Sequence, residues 1–133
     1  MNNPDMQLCI NANISSNYLA MAKFTNINKY NYIKKVGLLQ YKEEQNNLIT
    51  AIASMQTELT SARLGTKFFN EFLTDHFSTT NSFLNQCTSI AFRFRKNDIK
   101  YESFLHWNKI IDIYNNNKKQ FFIKHNKKLS DYQ

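Results

Sequence analysis

Three histidines, two cysteines and a scatter of carboxylates are the side chains here that could do acid–base, nucleophilic or metal chemistry. Their spacing converges on none of it. Glu71, Asp75 and His76 fall on one expected helix, and Glu102 and His106 stand four apart on another. A carboxylate-bridged metal pair in a helical bundle needs Glu-x-x-His from each of two helices, and no such motif occurs, so a solvated face with one Glu–His pair is expected and no metal. Cys9 and Cys87 stand alone, without C-x-x-C or a His at ligand spacing, which points to ordinary thiols in a reducing cytoplasm. A cysteine nucleophile needs a His held by a third group, and nothing in the linear spacing links either thiol to His76, His106 or His125. Neither Arg93 nor Arg95 is followed by a His at the short spacing helical ribonucleases use. With Gly37 and Gly65 as the only glycines, no phosphate-cradling loop or G-x-S-x-G elbow can be written. The expectation is a protein that is not an enzyme and takes no cofactor.

Charge is the stronger signal. The net charge is +7, but Asn, Lys, Ile, Phe and Tyr, all with AT-rich codons, make up nearly half of the chain, so its size says less than its distribution. Residues 1–90 hold seven basic and six acidic side chains. Residues 91–128 hold ten basic ones, Arg93, Arg95, Lys96, Lys100, Lys109, Lys118, Lys119, Lys124, Lys127 and Lys128, against Asp98, Glu102 and Asp112. Lys and Arg neutralise phosphates, and Tyr101, Trp107, Tyr114, Phe121 and Phe122 are interleaved with them. Aromatic faces can stack on bases, although at helical spacing such residues more often form a core.

These residues must be carried by helices. Leu48, Ile52, Met55, Leu59, Ala62, Thr66, Phe69 and Leu73 recur at alternating intervals of four and three, the mark of an amphipathic helix at heptad spacing. Continued over 41–76 it would be about 54 Å long. Gly65 is a natural break, with Thr66 as a cap for the next helix, yet the stripe crosses it in register and continuity is the favoured reading, small Ala62, Gly65 and Thr66 letting another helix approach. Further helices are expected at 28–36, 79–95, after the turn-rich Ser78-Thr79-Thr80-Asn81, and 98–114, capped at Asn97-Asp98. Asn115-Asn116-Asn117 reads as a bend. At the N-terminus, Met6, Leu8, Ile10, Ala12 and Ile14 alternate with polar neighbours, a strand-like pattern, with a turn at Ser15-Ser16-Asn17.

At 133 residues the chain suits one domain with its own core. We expect a mainly α single-domain bundle over 1–133 with one long central helix, 1–14 an extended or strand-like arm, and 118–133 a basic tail. No stretch is long and apolar enough to span a membrane, and the polar start Met1-Asn2-Asn3-Pro4-Asp5 lacks signal-peptide regions, so a cytoplasmic protein without a membrane partner is expected. Two functions fit. One is a small helical subunit that holds nucleic acid backbone through the ten basic residues of 91–128 and associates with itself or a larger assembly. The other is a protein-interaction module, such as an adaptor, assembly subunit or inhibitor, docking through Ile52, Met55, Leu59, Phe69 and Leu73.

Overall fold

A computed structural model describes residues 12–92 and 99–127. Over these residues the chain is mainly α, with no strand: α1 Ala12–Thr25, α2 Ile27–Val36, α3 Leu38–Ala62, α4 Gly65–Phe68 running on as a π-helical turn Phe69–Leu73, α5 Thr80–Phe92 and α6 Tyr101–Lys124. The expected long central helix is α3, 25 residues. The described residues fall into two compact units, one reaching Glu43 and the other starting at Glu44.

In the first unit, residues 12–14 of the expected strand are helical, and the expected turn at Ser15-Ser16-Asn17 lies inside α1. From Ala12 to Val36 there is no Gly or Pro, and Leu19, Ala20, Met21 and Ala22 are strong helix formers, so a brief alternation of apolar residues does not hold a strand. The rest of the expected arm, residues 1–11, lies outside the described residues. Asn26 separates α1 from α2 in extended conformation, and its side chain accepts a hydrogen bond from the Lys29 N–H at 3.1 Å, a side-chain N-cap. Gly37 then turns the chain in a single residue. Its N–H closes α2 on the Ile33 carbonyl at 2.7 Å, and its own carbonyl accepts the Tyr41 N–H at 3.0 Å. A φ of 91° with ψ of 147° is a region open essentially to glycine alone. Ala22, Ile33 and Tyr41 are buried, and the Tyr32 and Tyr41 rings meet edge to face at 5.9 Å.

In the second unit the helix does not run through to residue 76. It ends at Ala62, because Arg63 takes a left-handed φ of 59°. The Arg63 N–H reaches the Thr60 carbonyl at 3.1 Å and the Leu64 N–H the Leu59 carbonyl at 2.9 Å, which is the Schellman pattern. Leu64 and Leu59 are both buried, supplying the apolar contact that goes with it. Gly65 thus opens the next helix instead of ending the last. The position before it is Leu64, without a side-chain cap, and Thr66 is exposed. Small size matters here only mildly, since a Cβ on Gly65 would sit 3.7 Å from the Leu84 methyls of α5.

Thr79 caps α5 as its type predicts, its hydroxyl accepting the Ser82 N–H at 3.0 Å and its carbonyl the Phe83 N–H at 3.1 Å. The expected extension to Arg95 and the expected caps Asn97 and Asp98 lie outside the described residues; α6 begins at Tyr101 after Lys100, which makes no side-chain cap. Helix α6 does not bend at Asn115-Asn116-Asn117 but continues to Lys124. Three Asn in a helix cost together about 2 kcal/mol relative to Ala, while burying two Phe side chains returns about 4 kcal/mol or more; Phe121 and Phe122 are 2% and 1% exposed. Residues 118–124 are therefore the last turns of a core helix and not a tail. A second Schellman pattern ends it, with Asn126 at φ 58° and the Lys127 N–H on the Phe122 carbonyl at 2.8 Å.

Aromatic contacts join these helices. Phe68 meets Tyr114 at 5.3 Å and Phe121 at 5.2 Å, and Phe77 meets Phe83 at 5.1 Å and Trp107 at 5.3 Å. A polar pair crosses the same core: the Tyr114 hydroxyl donates to Glu58 Oε1 at 2.6 Å. Helix α3 also reaches α5, where Gln56 Nε2 donates to Thr88 Oγ1 at 2.7 Å.

Candidate functional site

Because α6 turns by about 100° per residue, its lysines leave it in different directions. Lys109 and Lys118 point about half a turn apart, and Lys109 and Lys119 lie about 15 Å apart along the axis with exposed Asp112 between them. Lys100, Lys109, Lys119 and Lys127 are exposed. Lys118 is half-buried, its ammonium 5.4 Å from the centre of the Tyr114 ring. Lys124 reaches across to Glu71 on the π-helical turn at 3.0 Å. Arg93, Arg95, Lys96 and Lys128 lie outside the described residues. The described lysines form a dispersed positive surface and no single stripe.

The aromatic residues expected as stacking platforms are core. Tyr101, Trp107, Tyr114, Phe121 and Phe122 are at most 8% exposed, so their faces are occupied by neighbouring side chains. The proposed docking stripe has the same fate: Ile52, Met55, Leu59 and Leu73 are fully buried and Phe69 nearly so. Its heptad spacing is satisfied inside the chain, which corrects the expectation of an outward interface there. The exposed large apolar residues are others: Met21, Phe24, Ile27, Leu39, Phe92, Leu105 and Ile123.

Tertiary structure does make one juxtaposition of chemical side chains that spacing hid. His76, in the turn after the π-helical segment, and His106, on α6, bring their rings to 6.1 Å although thirty residues separate them. His106 also packs against Phe77 at 5.2 Å. Burial lowers its pKa, and the nearby charges of His76 and Lys109 lower it further, while a hydrogen bond to the His76 backbone works the other way. The His106 imidazole is thus harder to protonate than an ordinary one. Glu71, grouped with His76 in the sequence, turns instead to Lys124. Among the described residues no three His, Cys, Asp or Glu side chains come together as a metal site.

Two further titratable groups among the described residues are held in their protonated form by burial. Cys87 is buried, and desolvation pushes its thiol up to about 12, so it stays protonated and is a poor nucleophile. Cys9 lies outside the described residues. Tyr114 is held well above the usual phenol range by burial, by its hydrogen bond to Glu58 and by the Glu58 charge. No family model, curated protein or solved structure matches the chain.

Proposed function

We propose that this chain is a non-enzymatic helical subunit that binds the phosphate backbone of nucleic acid through its basic C-terminal third, without reading base sequence. The observation that carries this reading is the exposure of Lys100, Lys109, Lys119 and Lys127 on a segment with ten basic and three acidic residues. Lys109 and Lys119, about 15 Å apart along α6, with Lys100 before the helix and Lys127 after it, suit contact with backbone charge at separate points, whereas a groove reader presents a short row of side chains to base edges. With the aromatic rings committed to the core, affinity would rest on charge alone and fall steeply with salt.

Fluorescence anisotropy with labelled single- and double-stranded nucleic acid tests it, at low and at near-physiological salt. A truncation after Tyr114 would remove Phe121 and Phe122 from the core, so the informative variants are K109A/K119A/K127A and R93A/R95A/K96A. Binding that weakens by orders of magnitude with salt and drops in either variant supports the reading. Affinity indifferent to salt and to both variants counts against it.

A second reading is a protein-interaction module, favoured by Leu105 and Ile123, which are 50% and 60% exposed on α6. They recur at the angle of Asp112, opposite the buried face. Light scattering would show self-association that L105S/I123S abolishes; a concentration-independent monomer removes the homo-oligomeric form of this reading.

A further inference from the structure

Helices α1 and α2 carry a surface that the C-terminal reading does not use. Met21, Phe24 and Ile27 are 63%, 87% and 51% exposed, and Phe24 and Ile27 flank the Asn26 corner at which α1 gives way to α2. Single exposed apolar residues are ordinary, but three within seven positions, one of them an almost wholly bared phenyl ring, are a local concentration of exposed apolar surface. Along the sequence from Ala12 up to Glu43 the charge is of one sign. Between Ala12 and Lys42 stand Lys23, Lys29, Lys34, Lys35 and Lys42, and no Asp or Glu at all. Lys23, Lys34, Lys35 and Lys42 are exposed, and the Lys23 ammonium lies 5.8 Å from the centre of the Tyr30 ring.

We infer that the α1–α2 corner docks on an anionic lipid surface, with Phe24, Met21 and Ile27 entering the boundary between headgroups and acyl chains and the lysines holding the headgroup phosphates and carboxylates. Charge complementarity selects an anionic partner, and the apolar residues select among anionic partners. Nucleic acid would take the lysines and stack at most one base on Phe24, leaving Met21 and Ile27 in water. A protein would have to offer a matching pocket, and lysine is depleted at the centres of protein interfaces. A bilayer supplies apolar depth and negative charge together, yields to the shape of what enters it, and lets lysine stems lie on apolar surface while their ammonium groups stay with the headgroups. Among the described residues no helix is long and apolar enough to cross a membrane. Docking at the surface needs no such helix.

Co-sedimentation of the full chain with phosphatidylcholine vesicles, with and without phosphatidylserine, tests the inference. The wild type should sediment with the anionic vesicles only, and M21S/F24S should lose about tenfold or more in partitioning with unchanged thermal melting, since both side chains are exposed. K109A/K119A/K127A should bind vesicles like the wild type, which separates this surface from the nucleic-acid reading. Absence of binding to anionic vesicles overturns the inference. So does vesicle binding that M21S/F24S leaves intact, or capture by polyglutamate or nucleic acid through Met21 and Phe24 without vesicle binding.

Discussion

Arg63 and Gly65 have exchanged the roles their types would assign. A left-handed residue just past a helix end is most often glycine, yet here arginine occupies it at φ 59° while the glycine two places on has room for a methyl group. Arg63→Gly should therefore stabilise the fold by about 0.5–1 kcal/mol through relief of the Cβ clash, and Gly65→Ala should be neutral or stabilising by up to about 1 kcal/mol. Urea denaturation of the two variants checks this; a loss of stability in Gly65→Ala would mean that Leu84 cannot give way. At His106 the sign of the pH effect comes from the lowered folded pKa. Above the unfolded value near 6.5 the imidazole is neutral in both states and the full stability is present. As pH falls through that value toward the folded pKa, the unfolded chain takes up the proton first and stability is lost. His106→Gln should lose less melting temperature than the wild type between neutral pH and about pH 5, and parallel curves for the two proteins would refute it. His76, Lys109 and the aromatic neighbours Phe77 and Trp107 surround this group, so protonation there meets both like charge and apolar packing.

At the scale of elements, the start of α5 is legible at its Thr79 cap, whereas α6 begins at Tyr101 and not after an Asn97-Asp98 cap, and helix ends are not legible. Asn26 and Thr79 each hold a backbone N–H three residues on, and a cap is a local interaction that sequence displays. The end of α3 goes with the burial of Leu59 and Leu64, and the passage of α6 through three asparagines depends on Phe121 packing against Phe68 and Phe72 and on the burial of Phe122. The second is a long-range event that outweighs local propensity. Phe121→Ala should cost about 3–5 kcal/mol, read as a shift of the denaturation midpoint; a surface-like loss below about 0.5 kcal/mol would restore the picture of a separate basic tail. The stripe from Ile52 to Leu73 is plainly apolar and periodic in the sequence, but periodicity reports that a face is buried and not against what.

Across the whole molecule, charge falls in blocks along the sequence. Residues 12–42 carry five basic and no acidic side chains, 43–90 two basic and five acidic, and 91–128 ten and three. If the four exposed lysines Lys100, Lys109, Lys119 and Lys127 all engage duplex DNA, the logarithm of the binding constant should fall against the logarithm of salt concentration with a slope of about −3 to −4. A slope near zero would assign these lysines to solubility. Residue order was enough to establish a mainly α fold with a long central helix, a new helix after the Ser78–Asn81 turn, and the concentration of positive charge near the C-terminus, because periodicity, capping and charge are local properties of a chain. Packing decided the rest. It closed α3 at an arginine, carried α6 to Lys124, took the heptad stripe and the interleaved aromatics into the interior, brought His76 to His106, and left Met21, Phe24 and Ile27 outside. Which apolar residues are covered depends on the sum of contacts between segments far apart in sequence, and that sum exists only once the helices have met.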